Sequence, residues 1–296
     1  MTTAGTDADN DPVTYDVIWT VNGAPYAAGG GTVTSGAFTG WVGAATTVIP
    51  GDTVPVADVT AGQTWSCSVT PHDGEADGES TSTTTVVSEG ALVASWSLDD
   101  GEARDTSGNG LGGSVMGAVS SAGQVGTSLD FDGMDDVVAF GSDRAFDMTS
   151  AVTVAAWVNS AGDNDYAGVL THRSCCDDAT DFVWSLQTHD DGNMAFGVQT
   201  GAGVAWSGLS AFPTGEWTFF VGAYDGSTVA ISANGLLASS TPASGPIVTR
   251  DIEVVLGARA DAAGYGDFWN GEIDAVRLWN RALLPEEVAQ TFDAER

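Results

Sequence analysis

The chain contains no lysine; its eight basic residues are all arginine, and they stand against forty aspartates and glutamates. The resulting formal charge of −32 excludes a nucleic-acid partner, because neutralising phosphates requires clustered Lys and Arg. An anionic membrane surface is excluded for the same reason. Hydrophobic runs are short: none reaches the ~18 to 20 consecutive apolar residues of a bilayer span, so membrane insertion is not expected. The first residues also lack the basic-then-apolar pattern of a signal peptide. Cysteine is limited to Cys67 and the adjacent pair Cys175-Cys176, which lack the spaced ligand pairs of a zinc site.

What is present supports a folded chain. With 296 residues, 43% of them apolar, there is enough material for one or two domains with a substantial core. The acid excess fits bound cations, a soluble extracellular surface, or a salty habitat.

Residues 1 to about 90 contain no Lys or Arg, yet their β signals are strong. Val13 to Val21 is rich in β-branched and aromatic residues, Asn22-Gly23 is a hairpin turn, Gln63 to Thr70 alternates around Trp65, Cys67 and Val69, and Thr81 to Val87 suits a final strand. Asp7, Asp9 and Asp11 alternate in a pattern that suits either a hard cation or, the reading favoured here, a solvated acidic turn. Glu89-Gly90 is the expected junction, giving domains at 1–89 and 90–296.

From Leu92 onward, short apolar runs recur between Gly/Asp/Asn-rich turns, which predicts an antiparallel all-β layout. The run from Gly271 to Leu278 alternates as a strand, with Ile273, Val276 and Leu278 on its buried side. Only Pro285 to Phe292 reads as helix, with proline at its start and acids in the first turn.

The motif Gly271-Glu272-Ile273-Asp274-Ala275-Val276-Arg277-Leu278-Trp279-Asn280-Arg281-Ala282-Leu283 resembles the last strand of the bacterial laminin-G-like, concanavalin A-like jelly-roll family. Further marks follow in family order: Leu92 to Leu98, Asp105 to Gly110, Ser128 to Gly133, Val152 to Val158, Gly215 to Thr218, and Asn234-Gly235. The resemblance implies a jelly roll over roughly residues 91 to 292. Segments around Trp19 and Trp65 resemble immunoglobulin-like repeats of bacterial surface proteins, which implies a β-sandwich over 1–89 and a cysteine partner for Cys67 whose strand is missing here. On this basis the chain is expected to be a piece of a larger secreted or cell-surface protein.

Family members often carry calcium, and the resemblance places such a site at Asp105, Asn109 and Asp274, with Asp132 as a further ligand. The competing expectation is an Asx-turn in Asp105 to Gly110 with a buried Asp274–Arg277 ion pair. Cys175 and Cys176 either close a vicinal disulfide, remain thiols, or bond to separate chains. The loop that holds them is expected to form a ligand rim with Arg173 and Asp178 as polar contacts. Of ten tryptophans, Trp96, Trp157, Trp217, Trp279 and Trp184 are expected in the core; Trp206, and Tyr265 with Trp269, are the candidates for a sugar-binding platform, with core packing as the equal alternative for each.

Gly271 to Asp274 carries part of the E-x-D-x-x-E pattern of laminarinase-type hydrolases, but position 277, where the second acid would stand, is Arg. The expected function is therefore non-catalytic: a calcium-stabilised carbohydrate-binding or adhesion module with a glycan or surface protein as partner. A structural protein–protein repeat is the alternative, and glycoside hydrolase or lyase activity ranks below both.

Overall fold

The computed structural model describes residues 14–26, 31–33, 54, 63–72, 75–86, 92–162, 164–174, 181–189, 191–261 and 264–296. The chain divides into two compact units, Met1–Glu89 and Gly90–Arg296. In the first, Thr14–Val21 pairs antiparallel with Ala24–Pro25, Gly31–Val33 and Thr64–His72, and the last of these also pairs with Thr81–Val86. Asn22 and Gly23 both have positive φ, the conformation that a two-residue hairpin with the native strand twist requires. Trp65 is buried and packs edge-on against Trp19 and Tyr26. The described residues of this unit form one sheet, and Cys67 lies half-buried within it.

The second unit is an antiparallel jelly roll. One sheet has seven strands in the order Gly203–Trp206, Met194–Thr200, Phe182–Thr188, Gly168–Arg173, Val254–Leu256, Val137–Gly141 and Ser114–Met116. The other has eight, running Leu236–Pro242, Thr228–Ala233, Thr218–Tyr224, Val152–Ser160, Asn270–Trp279, Thr127–Asp132 and Val119–Ala122, with Leu92–Trp96 also paired to Asn270–Trp279. The main core lies between them and includes Trp96, Phe131, Trp184, Phe196, Phe220 and Leu278. Each such fully buried side chain contributes roughly 1.5 to 3 kcal/mol. Gly222 permits close approach of the sheets, since a Cβ there would lie 2.3 Å from the Phe196 ring.

The strand Asn270–Trp279 is central. One edge pairs with Val152–Ser160; along the other, Asn270 to Ile273 pair with Leu129 to Asp132, and Val276 to Trp279 with Leu92 to Trp96. Between those two partners a bulge forms at Asp274 and Ala275, where Ala275 takes φ +48. The bulge turns Ala275 outward to a second cluster with Trp157 and Phe219, which the helix Pro285–Glu295 covers through Val288 and Phe292. Glu287 fixes the start of that helix by accepting the Leu284 amide at 2.7 Å and binding Arg281 through both oxygens.

On the outer side of the seven-stranded sheet, Val137, Val255 and Ala258 are covered by Tyr265 and Phe268, which belong to and follow the hairpin Arg259–Asp261 and Gly264–Gly266. That cover leaves the outer face of the strands toward Gly203–Trp206 for another role. No helix among the described residues is long and apolar enough to cross a membrane.

Candidate functional site

Trp206 stands on the edge strand Gly203–Trp206, directly opposite Gly197. Its ring lies over that glycine: a Cβ at 197 would come within 2.6 Å of it. Phe182 meets the indole edge-on at a centroid distance of 5.3 Å, and His189 does so at 4.8 Å. Tyr166 continues the row, 6.0 Å from His189, with 40% of its surface exposed. Tyr166 holds a left-handed backbone (φ +57), a costly conformation for an aromatic residue. Trp206, His189 and Tyr166 form a part-exposed aromatic track on the outer side of the seven-stranded sheet, with Phe182, 1% exposed, packed beneath it.

A groove of about 340 Å³ adjoins the Tyr166 end, lined by Ser160, Asn164, Asp165, Asp191, Phe212 and Thr214 among others. Asn164 frames it from beneath: its amide donates to Ser160 Oγ and the Asn270 carbonyl, while its oxygen accepts the Asn270 amide. Phe212 contributes an apolar surface, held by a stacked Trp269 and an edge-on Phe220.

Arg173 is buried rather than exposed on a rim. It donates to Gln187 Oε1 at 2.7 Å and to Asp267 Oδ2 at 3.1 Å, and Arg259 meets the same Asp267 oxygen at 2.5 Å. This network anchors the segment after the Arg259 hairpin to the sheet. Tyr265 is half-buried over the third cluster and donates to Glu253 at 3.1 Å. Trp269 is fully buried, which decides between platform and core in favour of the core: it packs behind Phe212. Cys175, Cys176 and Asp178 lie outside the described residues, as do Asp7, Asp9 and Asp11.

The four expected calcium ligands do not form one group. Asp105 accepts the amides of Ser95, Ser107 and Leu111 and the Ser107 hydroxyl, so both oxygens are engaged. Burial raises its pKa, but these hydrogen bonds outweigh burial and hold it below the usual range. Asn109 turns its amide nitrogen to the carbonyls of Leu92 and Val93. The Asx-turn at Asp105 is therefore present, whereas the Asp274–Arg277 ion pair is not: Arg277 binds Glu295 instead.

Asp132 belongs to a different set, Asp132, Asp135 and Asp136, the one group of three potential ligands within 4.8 Å among the described residues. Burial raises the pKa of Asp136, the Asp132 amide opposes the rise, and the surrounding aspartates add to it. Asp274 is fully buried beneath the turn at 123–126; its Oδ2 accepts the Val125 amide at 2.8 Å, while its Oδ1 has no hydrogen-bond partner. Burial pushes its carboxyl up to about 6. Of the four expected ligands, Asp274 alone carries a buried oxygen with no donor, which fits a hard cation; both oxygens of Asp105 are already engaged.

Glu272 lies directly across from Asp130 on one side and Asn159 on the other. Burial, then the Asp130 charge, raises its pKa. It belongs to the eight-stranded sheet, whereas the aromatic track lies on the seven-stranded one.

Two sheets in this arrangement define a concanavalin A-like jelly roll. The concanavalin A-like lectin/glucanases superfamily model of laminin-G-like domains matches residues 132–289, and the chain belongs to that family. Among solved structures, domain 4 of AbnA, a GH43 extracellular arabinanase from Geobacillus stearothermophilus in complex with arabinotriose, superimposes with a TM-score of 0.56 at 19% identity, covering 70% of this chain and 100% of that one. The binding domain of Paraclostridial Mosquitocidal Protein 1 gives 0.56 at 15%, covering 69% and 52%. The binding domain of botulinum neurotoxin DC in complex with SialylT gives 0.52 at 12%, covering 70% and 51%. The chain thus spans about half the length of these toxin domains, and at such identities the likeness is one of fold. No curated protein matches the sequence.

Proposed function

We propose that Gly90–Arg296 is a non-catalytic carbohydrate-binding module of a secreted or cell-surface protein, with the aromatic track as its binding face. The observation that carries this reading is Trp206 laid over Gly197 and flanked by Phe182 and His189. An aromatic face held in place by its neighbours suits the C–H face of a sugar ring, and little order has to be gained on binding. A lectin-type fold supports the same reading. Hydrolysis is not part of the proposal, since Glu272 lies on the other sheet and Arg277 occupies the place of a second acid. The test is a glycan array followed by titration of the best binder: Trp206→Ala should weaken it at least about tenfold, and Tyr265→Phe should leave it unchanged. Silence across a broad array contradicts the proposal.

The second reading, a structural repeat that contacts another protein, is favoured by one feature. Leu236 and Leu237, on the edge strand Leu236–Pro242, are 75% and 64% exposed. Self-association that is lost in the Leu236→Ser/Leu237→Ser variant, together with a silent array, would select it.

Calcium enters the proposal at Asp274, whose unpartnered Oδ1 would supply one of its oxygen ligands. A bound ion would hold the turn at 123–126 against the central strand. The domain should then melt at a higher temperature in calcium than in chelator at matched ionic strength, and Asp274→Asn should abolish the difference. Equal melting temperatures with and without calcium remove the ion from the account.

A further inference from the structure

Gln199 stands on a sheet face, yet only 5% of its surface is exposed. It follows Gly197 by two residues and lies opposite Val204, as Gly197 lies opposite Trp206. Phe196 and Val198, on either side of Gly197, point into the main core, so alternation puts Gln199 on the outer face, roughly 6 to 7 Å along the strand from the seat of the indole. Its Nε2 donates to the Thr200 carbonyl at 2.7 Å, which fixes the amide: turned over, it would set oxygen against oxygen. Oε1 is then left buried with no donor among the described residues. Gln187, on the same face, shows the contrast, because its Oε1 accepts from Arg173 at 2.7 Å and from Ser185 at 2.8 Å. A buried acceptor without a donor is a cost that folding alone does not explain.

We propose that Gln199 is the specificity-determining residue of the platform: its Oε1 accepts a hydroxyl of the sugar ring that lies on Trp206, so the module takes neutral sugars that keep a free hydroxyl at that edge. This rests on the carbohydrate-binding reading and narrows it. A ring stacked on an indole points its hydroxyls out from the ring edge, toward the side chains that flank the indole on the same face. A hydroxyl supplies the missing donor, whereas a carboxylate or an O-methyl group at that position brings only another acceptor. The oxygen is closed to water, which strengthens the pairing once made and makes its omission costly. Gly203–Trp206 lies beside it as a four-residue edge strand, half-buried and paired on one side only among the described residues, and is the element that adjusts as the sugar enters.

The experiment compares the full chain as wild type, Gln199→Met and Gln187→Met. Without sugar, Gln199→Met should melt no lower than wild type, since it removes an unpaired acceptor, while Gln187→Met should melt about 3 °C or more lower, since it takes the acceptor from Arg173 and Ser185. Calorimetric titration then uses arabinotriose, xylotriose, cellotriose and galactotriose, each free and fully O-methylated. Wild type should bind at least one free trisaccharide and prefer it to its methylated form about tenfold or more; Gln199→Met should cut that preference about tenfold, and Trp206→Ala should weaken both forms. Equal binding of the two forms by wild type, a preference unchanged in Gln199→Met, or a Gln199→Met melt several degrees below wild type overturns the inference. If none of the trisaccharides binds while another class of glycan binds through Trp206, the inference fails and the carbohydrate reading stands. If no glycan binds at all, the carbohydrate reading fails with it.

Discussion

Replacing Gly271 with alanine should destabilise the jelly roll by about 3 to 5 kcal/mol and lower its melting temperature by roughly 6 to 20 °C. Gly271 has φ +128, outside the range that a side chain tolerates, and a Cβ there would lie 2.2 Å from the Asn159 carbonyl oxygen and 2.8 Å from the Ala161 nitrogen. Both are backbone atoms at the end of the neighbouring strand Val152–Ser160, so no rotamer change can relieve the clash. The strain and the overlap add at one position. Gly201 provides the control: a Cβ there meets nothing within 4 Å and its φ is not in the left-handed range, so Gly201→Ala should be neutral. Equal melting temperatures for Gly271→Ala and wild type would show that the central strand is placed differently.

The second large effect concerns acid. His172 is 1% exposed, packed edge-on against Trp184 in the core, and burial pushes its imidazole down to about 4 from the ordinary 6.5. Because the folded pKa lies below the unfolded one, the unfolded chain takes up its proton first. Stability from this group is full above about 6.5, falls as pH drops, and is lost by about pH 4, a change of about 3 kcal/mol. Asp274 works the other way. With its folded carboxyl at about 6 against 3.8, its burial costs stability above pH 6, and that cost is relieved by about pH 4, again by about 3 kcal/mol. The two oppose each other in one window. In chelator, His172→Phe should therefore gain stability relative to wild type as pH falls from 7 to 4, and Asp274→Asn should lose it. Denaturant titrations at several pH values check this; parallel pH profiles for all three proteins would contradict it.

The parts of the fold that were legible from the sequence depend on near neighbours. Asn22-Gly23 and Asn234-Gly235 mark hairpins because both residues of each pair must take positive φ, and all four do. Pro285 and the acids after it mark the helix because they satisfy its first turn locally. Ile273, Val276 and Leu278 mark the buried side of the central strand, and the spacing of three between Ile273 and Val276, which a regular strand cannot keep on one face, is the trace of the bulge at Ala275.

The candidate site was legible only in part. Trp206 stood out in its glycine-rich surroundings, but Tyr166 and His189 join it across forty and seventeen residues, and no local pattern pairs them. An exposed tyrosine in a turn of Gly and Asp was the available signal. Trp269 is undecided from the sequence for the converse reason: adjacent glycines suggest exposure, while packing against Phe212 decides burial. Asp105 was read through the family as a metal ligand, yet a carboxylate at the head of Asp-Thr-Ser-Gly-Asn-Gly can satisfy itself on the amides of its own loop, as this one does.

The most direct measurement is an ¹H–¹⁵N spectrum of the tryptophan indoles, recorded while the glycan selected on the array is added. The account predicts that the Trp206 indole shifts with saturation, while that of Trp96, bound to the Leu111 carbonyl at 2.7 Å in the core, stays fixed. A saturable shift confined to Trp157 or Trp279, under the C-terminal helix, with Trp206 unmoved, would place the ligand on the opposite sheet and contradict it.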